Sequence, residues 1–255
     1  MSIQGAKLPR VNGQPLAELS QTASIHRLNF RGQTLSGKVI PLTLQLFCKL
    51  GFNPRLFSEG AKIFLLDKEN YEHFGQACGI ECAGGFYPLA ANGDVEAVIR
   101  DEIPFLPNRS RVIVLAEDHP PTALAHEILH DIFVGGGLEL RDRQHFMREL
   151  LYWYRLSLDP KMPHQHKNRP FYEKIAKACA RKYNLQEVSP LYCGTPHWQE
   201  YDFRVFASEC FAYAGEYLLF SEKASFTDVP DSIIRFLKFV RVIDPSAIRQ
   251  AGEQV

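Results

Sequence analysis

Long apolar runs are missing from this 255-residue chain. No stretch comes near the about 18 residues that a membrane-crossing helix needs, so no membrane span is expected. Residues 1–16 have no apolar core of the secretory kind. A cytoplasmic protein is therefore expected, with export by a signal-independent route as the alternative. Surplus charge is missing too: 29 basic and 29 acidic residues leave a formal net charge of zero. That provides no basic face for nucleic acid and no acidic tail. Cysteine is sparse. Cys48, Cys78, Cys82, Cys179, Cys193 and Cys210 are scattered along a chain long enough to build a core without cross-links, so free thiols are expected. Cys78-x-x-x-Cys82 has no second pair at zinc-ribbon spacing and reads as incidental, a single disulfide being the alternative. Repeats and low-complexity segments are absent. What is present, 45% hydrophobic and 23% charged residues, is the balance of an ordinary globular protein of one large or two small domains.

Against that ordinary background stands His126-Glu127-Ile128-Leu129-His130. Residues i and i+4 lie one above the other on a helix, so two imidazoles at that spacing can hold one metal ion. The Glu beside the first His sits next to the metal, where it can take a proton from a water and pass it on. His-Glu-x-x-His is the signature of zinc hydrolases, and its context decides its worth. Residues 112–115 are apolar and mostly β-branched, a buried strand. Pro120 and Pro121 then open a helix, with Asp118 or His119 as its expected N-cap. Gly135-Gly136-Gly137 stops it after Val134. The helix is apolar almost all round and so should be buried. Two His and a Glu in a core need partners, and a metal satisfies all three. Hydrogen-bonded structural histidines are the alternative.

The rest of the chain reads as strands first and helices later, which predicts an α+β fold. Residues 1–35 are Gly- and Pro-punctuated and read as an N-terminal arm, with a short strand near 25–30. Residues 36–255 read as one catalytic-type domain. Residues 39–50 have helical spacing, 62–66 a strand and 68–78 a short helix. Asn92-Gly93 within 84–100 marks a hairpin, so the sheet should be antiparallel or mixed. Helices follow at 141–156, 170–183, 202–220 and 231–243, with 157–199 as a possible helical insertion or lid.

A catalytic zinc takes three protein ligands and keeps a position for water. The metzincin pattern would need Gly at 133 and His at 136, where Phe133 and Gly136 stand. The third ligand should then be a carboxylate on a later helix. Glu149, 19 positions after His130, has the spacing of aminopeptidase-like gluzincins, but Arg141, Arg143, Arg148 and Arg155 surround it in sequence. Glu209, 79 positions on, sits among Ala207, Cys210, Phe211, Ala212 and Ala214. A carboxylate in so apolar a helix needs a cation, which favours Glu209.

Glu209-Cys-Phe-Ala-Tyr-Ala214 resembles the Glu-Phe-Phe-Ala-x-Ala element of the anthrax-lethal-factor-like zinc peptidases, which are gluzincins. The order of hairpin, apolar strand, metal helix and closing amphipathic helix is similar as well, over roughly residues 60–243. The resemblance implies a zincin-like fold, a Zn²⁺ cofactor held by His126, His130 and Glu209, Glu127 as the base, and a peptide or protein substrate. It also implies a Tyr shortly before the ligand Glu that steadies the oxyanion, and Tyr201 is the nearest match. Two positions depart from the family. Leu129 replaces a Gly, and Tyr213 stands where an acidic residue often supports a ligand His.

The expected function is zinc-dependent peptide hydrolysis, with substrate main chain pairing to a strand near 95–99. A non-catalytic zinc-stabilised peptide-binding module and a Glu149-liganded aminopeptidase are the alternatives, along with a metal-free scaffold. His145, His164 and His166 read as surface residues and His197-Trp198 as a packing pair. Neither substrate identity nor oligomeric state is written in the sequence.

Overall fold

The computed structural model describes residues 24–30, 33–57, 61–78, 85–88, 111–182 and 200–244. The fold is α+β. Five strands form one mixed sheet: β1 (Ser24–Phe30), β2 (Gln33–Pro41), β3 (Ala61–Leu66), β4 (Gly85–Pro88) and β5 (Arg111–Ala116), in the order β1-β2-β3-β5-β4. β1 and β2 pair antiparallel, as do β2 and β3; β3 and β5 pair in parallel, and β4 is antiparallel to β5. The parallel pair lies at the centre. Its facing residues Ile63↔Ile113, Phe64↔Val114 and Leu65↔Leu115 are all buried. That is why 63–66 and 112–116 are continuous apolar runs instead of alternating ones.

Two expectations for the N-terminal region are corrected. The boundary of the arm at residue 35 falls inside β2, and β1–β2 is a hairpin belonging to the sheet. The helix expected over 39–50 is β2 as far as Pro41, followed by a short helix α1 (Leu44–Lys49). Val39 and Ile40 are β-branched and suit a strand, and Pro41 cannot sit inside a helix. Thr43 then accepts a hydrogen bond from Leu46 N–H through its side chain, which sets the start of α1. Residues 68–78 form helix α2 (Lys68–Cys78). Of the hairpin expected at 84–100, β4 is described; Asn92-Gly93 and the second strand lie outside the described residues.

The metal-motif helix is α3 (Pro121–Val134), entered directly from β5. Its N-cap is Pro120, with no side-chain cap bond, so neither Asp118 nor His119 caps it. His119 is otherwise engaged: its Nδ1 accepts from Ala116 N–H at the end of β5. At the far end Gly136 takes φ 104°, a conformation that costs a side chain about 1 kcal/mol or more. Asp131 is buried and paired with Arg111 at the start of β5, which pins helix to sheet. Burial pushes the Asp131 carboxyl up, and the Arg111 guanidinium opposes that shift.

Helices α4 (Leu140–Leu158), α5 (Arg169–Lys182), α6 (Glu200–Phe220) and α7 (Asp231–Phe239) complete the described structure. Phe133, Phe146, Phe211 and Phe236 join α3, α4, α6 and α7 through ring contacts of 4.9–5.7 Å. Phe171, Tyr172, Ile175 and Ala176 of α5 belong to that core, so this part of 157–199 packs into the body of the protein and does not lie over it as a lid. Residues 183–199 lie outside the described residues. No described helix is long and apolar enough to cross a membrane.

Helix α6 lies close along α3, and at Gly215 it leaves no room for a side chain. A Cβ there would sit 2.4 Å from Leu129 Cδ2 and 2.7 Å from Cδ1. The bulky residue at this crossing is Leu129 on α3, and the small one is Gly215 on α6. Gly215→Ala is expected to push the helices apart and cost about 1–3 kcal/mol. Leu129→Ala leaves a cavity and costs about 2–5 kcal/mol. The two share one contact, so the double variant should lose clearly less than the sum, as read from denaturant melts. Additive losses would show that Gly215 and Leu129 do not set the helix spacing.

Candidate metal centre

His126 and His130 project from one face of α3 towards α6, and both are buried. Their Nε2 atoms lie 3.2 Å apart. Glu209, buried in the middle of α6, closes the group. Its Oε2 is 3.2 Å from His126 Nε2 and its Oε1 is 3.6 Å from His130 Nε2. Tetrahedral zinc, with bonds of about 2.0–2.1 Å, holds its ligand atoms roughly 3.3 Å apart. The three separations bracket that value.

The outer nitrogens fix the protonation. His126 Nδ1 is 3.3 Å from Glu216 Oε2, and a carboxylate can only accept, so Nδ1–H donates. His130 Nδ1 is 2.7 Å from Ser208 Oγ. When Ser208 Oγ accepts from His130 Nδ1 in the same way, both neutral rings point Nε2 lone pairs at Glu209. Two lone pairs and a carboxylate oxygen converging on one buried point repel unless a cation lies between them. The cation is either a metal or a proton. In the absence of metal, burial disfavours charge on His126. The Glu209 and Glu216 hydrogen bonds, with the Glu209 and Glu127 charges, outweigh burial and push its pKa up to about 9.

A second carboxylate competes for the third position. Donor atoms of His126, Glu127 and His130 lie within 4.8 Å of one another. Glu209 has the closer oxygens and bridges both rings. Glu127 is buried with one oxygen, Oε2, that meets no hydrogen-bond partner. An orphaned buried carboxylate oxygen beside converging nitrogens fits a group that acts on a bound water. Two His, one Glu and a free carboxylate match the donor chemistry of a catalytic zinc site.

Glu216 escaped the sequence reading. The resemblance points to support for a ligand His four residues after Glu209, at Tyr213; the carboxylate that meets His126 lies seven residues after Glu209. Seven residues are close to two full turns, so Glu209 and Glu216 share a face of α6. The signal was available, because Glu216 is a second carboxylate in the same apolar helix. Glu216 Oε1 accepts from Ser225 N–H at 2.6 Å and Ser225 Oγ at 2.8 Å, so the segment after α6 holds it in place. Tyr213 instead lays its ring on His126, with centroids 4.5 Å apart, and against Phe226 at 4.3 Å. Glu216→Ala should leave the fold intact and weaken zinc binding about 10–100-fold, measured by competition with a chelating dye. Unchanged affinity would mean that His126 needs no help from this carboxylate.

Other expected site residues fall elsewhere. Glu149 is half-buried on α4, and among the described residues it makes no bond with either histidine. Tyr201 lies in the first turn of α6, and its side chain is outside the described residues. The strand expected near 95–99 and His197-Trp198 are outside them too. His164 and His166 are exposed, and His145 is an exposed ring against Phe236. No known protein family, curated protein or solved structure matches this chain.

Proposed function

We propose that this protein is a zinc-dependent peptide hydrolase of the gluzincin type, with a zincin-like arrangement of sheet and metal helix. The observation that supports this best is the near-equilateral set of His126 Nε2, His130 Nε2 and Glu209 carboxylate oxygens, at 3.2–3.6 Å, with both Nδ1 atoms already engaged. His126, His130 and Glu209 are the proposed ligands. Zinc held there supplies Lewis-acid polarisation of a carbonyl and a water acidic enough to deprotonate near neutral pH.

The chain's own groups do the rest. Glu127 takes a proton from the attacking water on its unpartnered oxygen and delivers it to the departing amine, so one carboxylate serves as base and then acid. Glu216 holds His126 in the Nδ1–H tautomer and Ser208 accepts from His130 Nδ1, which keeps both Nε2 lone pairs directed inward. An extended substrate would add alongside the sheet near α3, where β4 is the outermost described strand.

Metal content tests the ligand set. Wild type should purify with about one zinc per chain. Glu209→Ala should lose it, while Glu149→Ala should keep it and still cleave a random peptide library. Loss with Glu149→Ala alone would move the reading to the aminopeptidase-like arrangement. A wild type that takes up no zinc would end the hydrolase proposal, and one that holds zinc but cleaves no peptide would be a zinc-stabilised binding module.

A further inference from the structure

The chain leaves α6 through a short 3-10 turn, Ser221–Lys223, and packs back on the same helix before α7 begins. Ser221 takes φ 50°, a left-handed conformation that residues with a side chain seldom adopt. The turn returns two consecutive residues, Ser225 and Phe226, to groups that touch His126. Ser225 is exposed, yet its N–H and its Oγ–H both donate to one oxygen of buried Glu216, Oε1, at 2.6 and 2.8 Å. With Oε1 anchored by two donors, Oε2 is kept facing His126 Nδ1 at 3.3 Å. Phe226 is half-buried. Its ring lies 4.3 Å from that of Tyr213, which lies 4.5 Å from the His126 ring. Behind it stands Phe171 of α5 at 5.9 Å, and the Lys174–Asp228 ion pair at 3.2 Å ties the same segment to α5.

His126 is therefore reached by two arms from one connection that carries no proposed ligand. One arm is a hydrogen-bonded relay, Ser225 to Glu216 to Nδ1. The other is a stack of rings, Phe226 to Tyr213 to the imidazole. A hydrogen bond fixes one atom of a ring and a ring contact fixes its tilt, so the two constraints are different and complete each other. We propose that Ser225 and Phe226 are positioning residues of the metal centre, which act through Glu216 and Tyr213 to hold His126 on its metal. This rests on the ligand set proposed above.

The test uses the full chain, with zinc affinity read by competition with a chelating dye and zinc release timed in excess chelator. Ser225→Ala removes the hydroxyl donor and leaves the N–H. It should weaken zinc about 3–10-fold and speed its release, less than the loss of a direct partner of His126 would. Ser225→Thr should restore both. Phe226→Leu keeps an apolar group against Phe171 and removes the ring, with a loss of about the same size, and Phe226→Tyr should recover it. The decisive readout is the background. Ser225→Ala should cost nothing further in Glu216→Ala, nor Phe226→Leu in Tyr213→Leu, because each acts only through its neighbour. In zinc-loaded protein the His126 Nδ1–H resonance should exchange faster with water in Ser225→Ala than in Ser225→Thr. If Phe226→Leu does not fold, the Ser225 set decides. Wild-type affinity and release in Ser225→Ala, or a loss that persists undiminished in the Glu216→Ala background, would overturn the proposal and leave the ligand set standing. A wild type that takes up no zinc would remove both.

Discussion

Glu127→Gln is expected to keep about one zinc per chain and to lose peptide cleavage by about 10²–10⁴-fold. The side chain is buried, and one of its oxygens meets no partner. Gln fills the same space, so packing in α3 should survive. What it lacks is a lone pair basic enough to take a proton. Cleavage falls because both proton transfers, from water and to the amine, run through that one carboxylate. The variant also separates two roles that proximity alone leaves open, because Glu127 offers a donor atom within 4.8 Å of those of both histidines. Zinc measured by atomic absorption should stay with Glu127→Gln and leave with Glu209→Ala. If zinc leaves with Glu127→Gln, Glu127 is a ligand and the base lies elsewhere. Wild-type rates in a zinc-loaded Gln variant would also remove Glu127 from the chemistry.

Stripping the metal should cost more stability at high pH than at low. Zinc at about a thousand times its Kd stabilises the folded state by about 4 kcal/mol. For a chain of this size that is roughly 8–16 °C in Tm. In the metal-free protein His126 has its pKa raised to about 9, against roughly 6.5 when unfolded. Its proton therefore stabilises the fold fully below about pH 6.5, and that contribution is lost as pH rises through 9. Metal must displace the same proton, so zinc binds more tightly as pH rises over this range. The two trends add. The difference in Tm between zinc-loaded and chelator-treated protein should widen steadily from pH 6.5 to 9. A gap that stays constant or narrows would mean that no proton occupies the place between His126 and Glu209.

Legibility in the sequence followed the range of the interaction. The His-Glu-x-x-His face is an i, i+4 relation inside one helix, and the helix bounds came from Pro121 and the glycine run, so position and burial could be read directly. Glu209 could be picked out because a charge in an apolar helix is conspicuous by itself. Glu216 is as conspicuous by the same measure, but the resembling pattern points to the position four residues after Glu209 instead. Ser208 and the Arg111–Asp131 pair gave no local sign, because each meets its partner only once α3 is docked on α6 or on β5. The α+β class was readable from the order of patterns. The β1–β2 hairpin was not, because glycines and polar residues hide its alternation and its pairing with β3 is tertiary. Leu129 stands out in the sequence only as a departure from the resembling pattern. The compensation at Gly215 is 86 residues away in sequence and could not be seen without the helix crossing.

That crossing has a consequence for how the protein comes into being. The two histidines sit on α3, and the carboxylates that face them come from α6, 79 residues or more further along. Contacts so distant in sequence form late, because the intervening chain must first be ordered. During synthesis the His-Glu-x-x-His helix leaves the ribosome long before Glu209 and Glu216. A nascent chain therefore carries the motif without the means to hold a metal tightly. On the proposed function, hydrolytic capacity would arrive only when α6 docks, which protects the unfinished chain and its neighbours from premature cleavage.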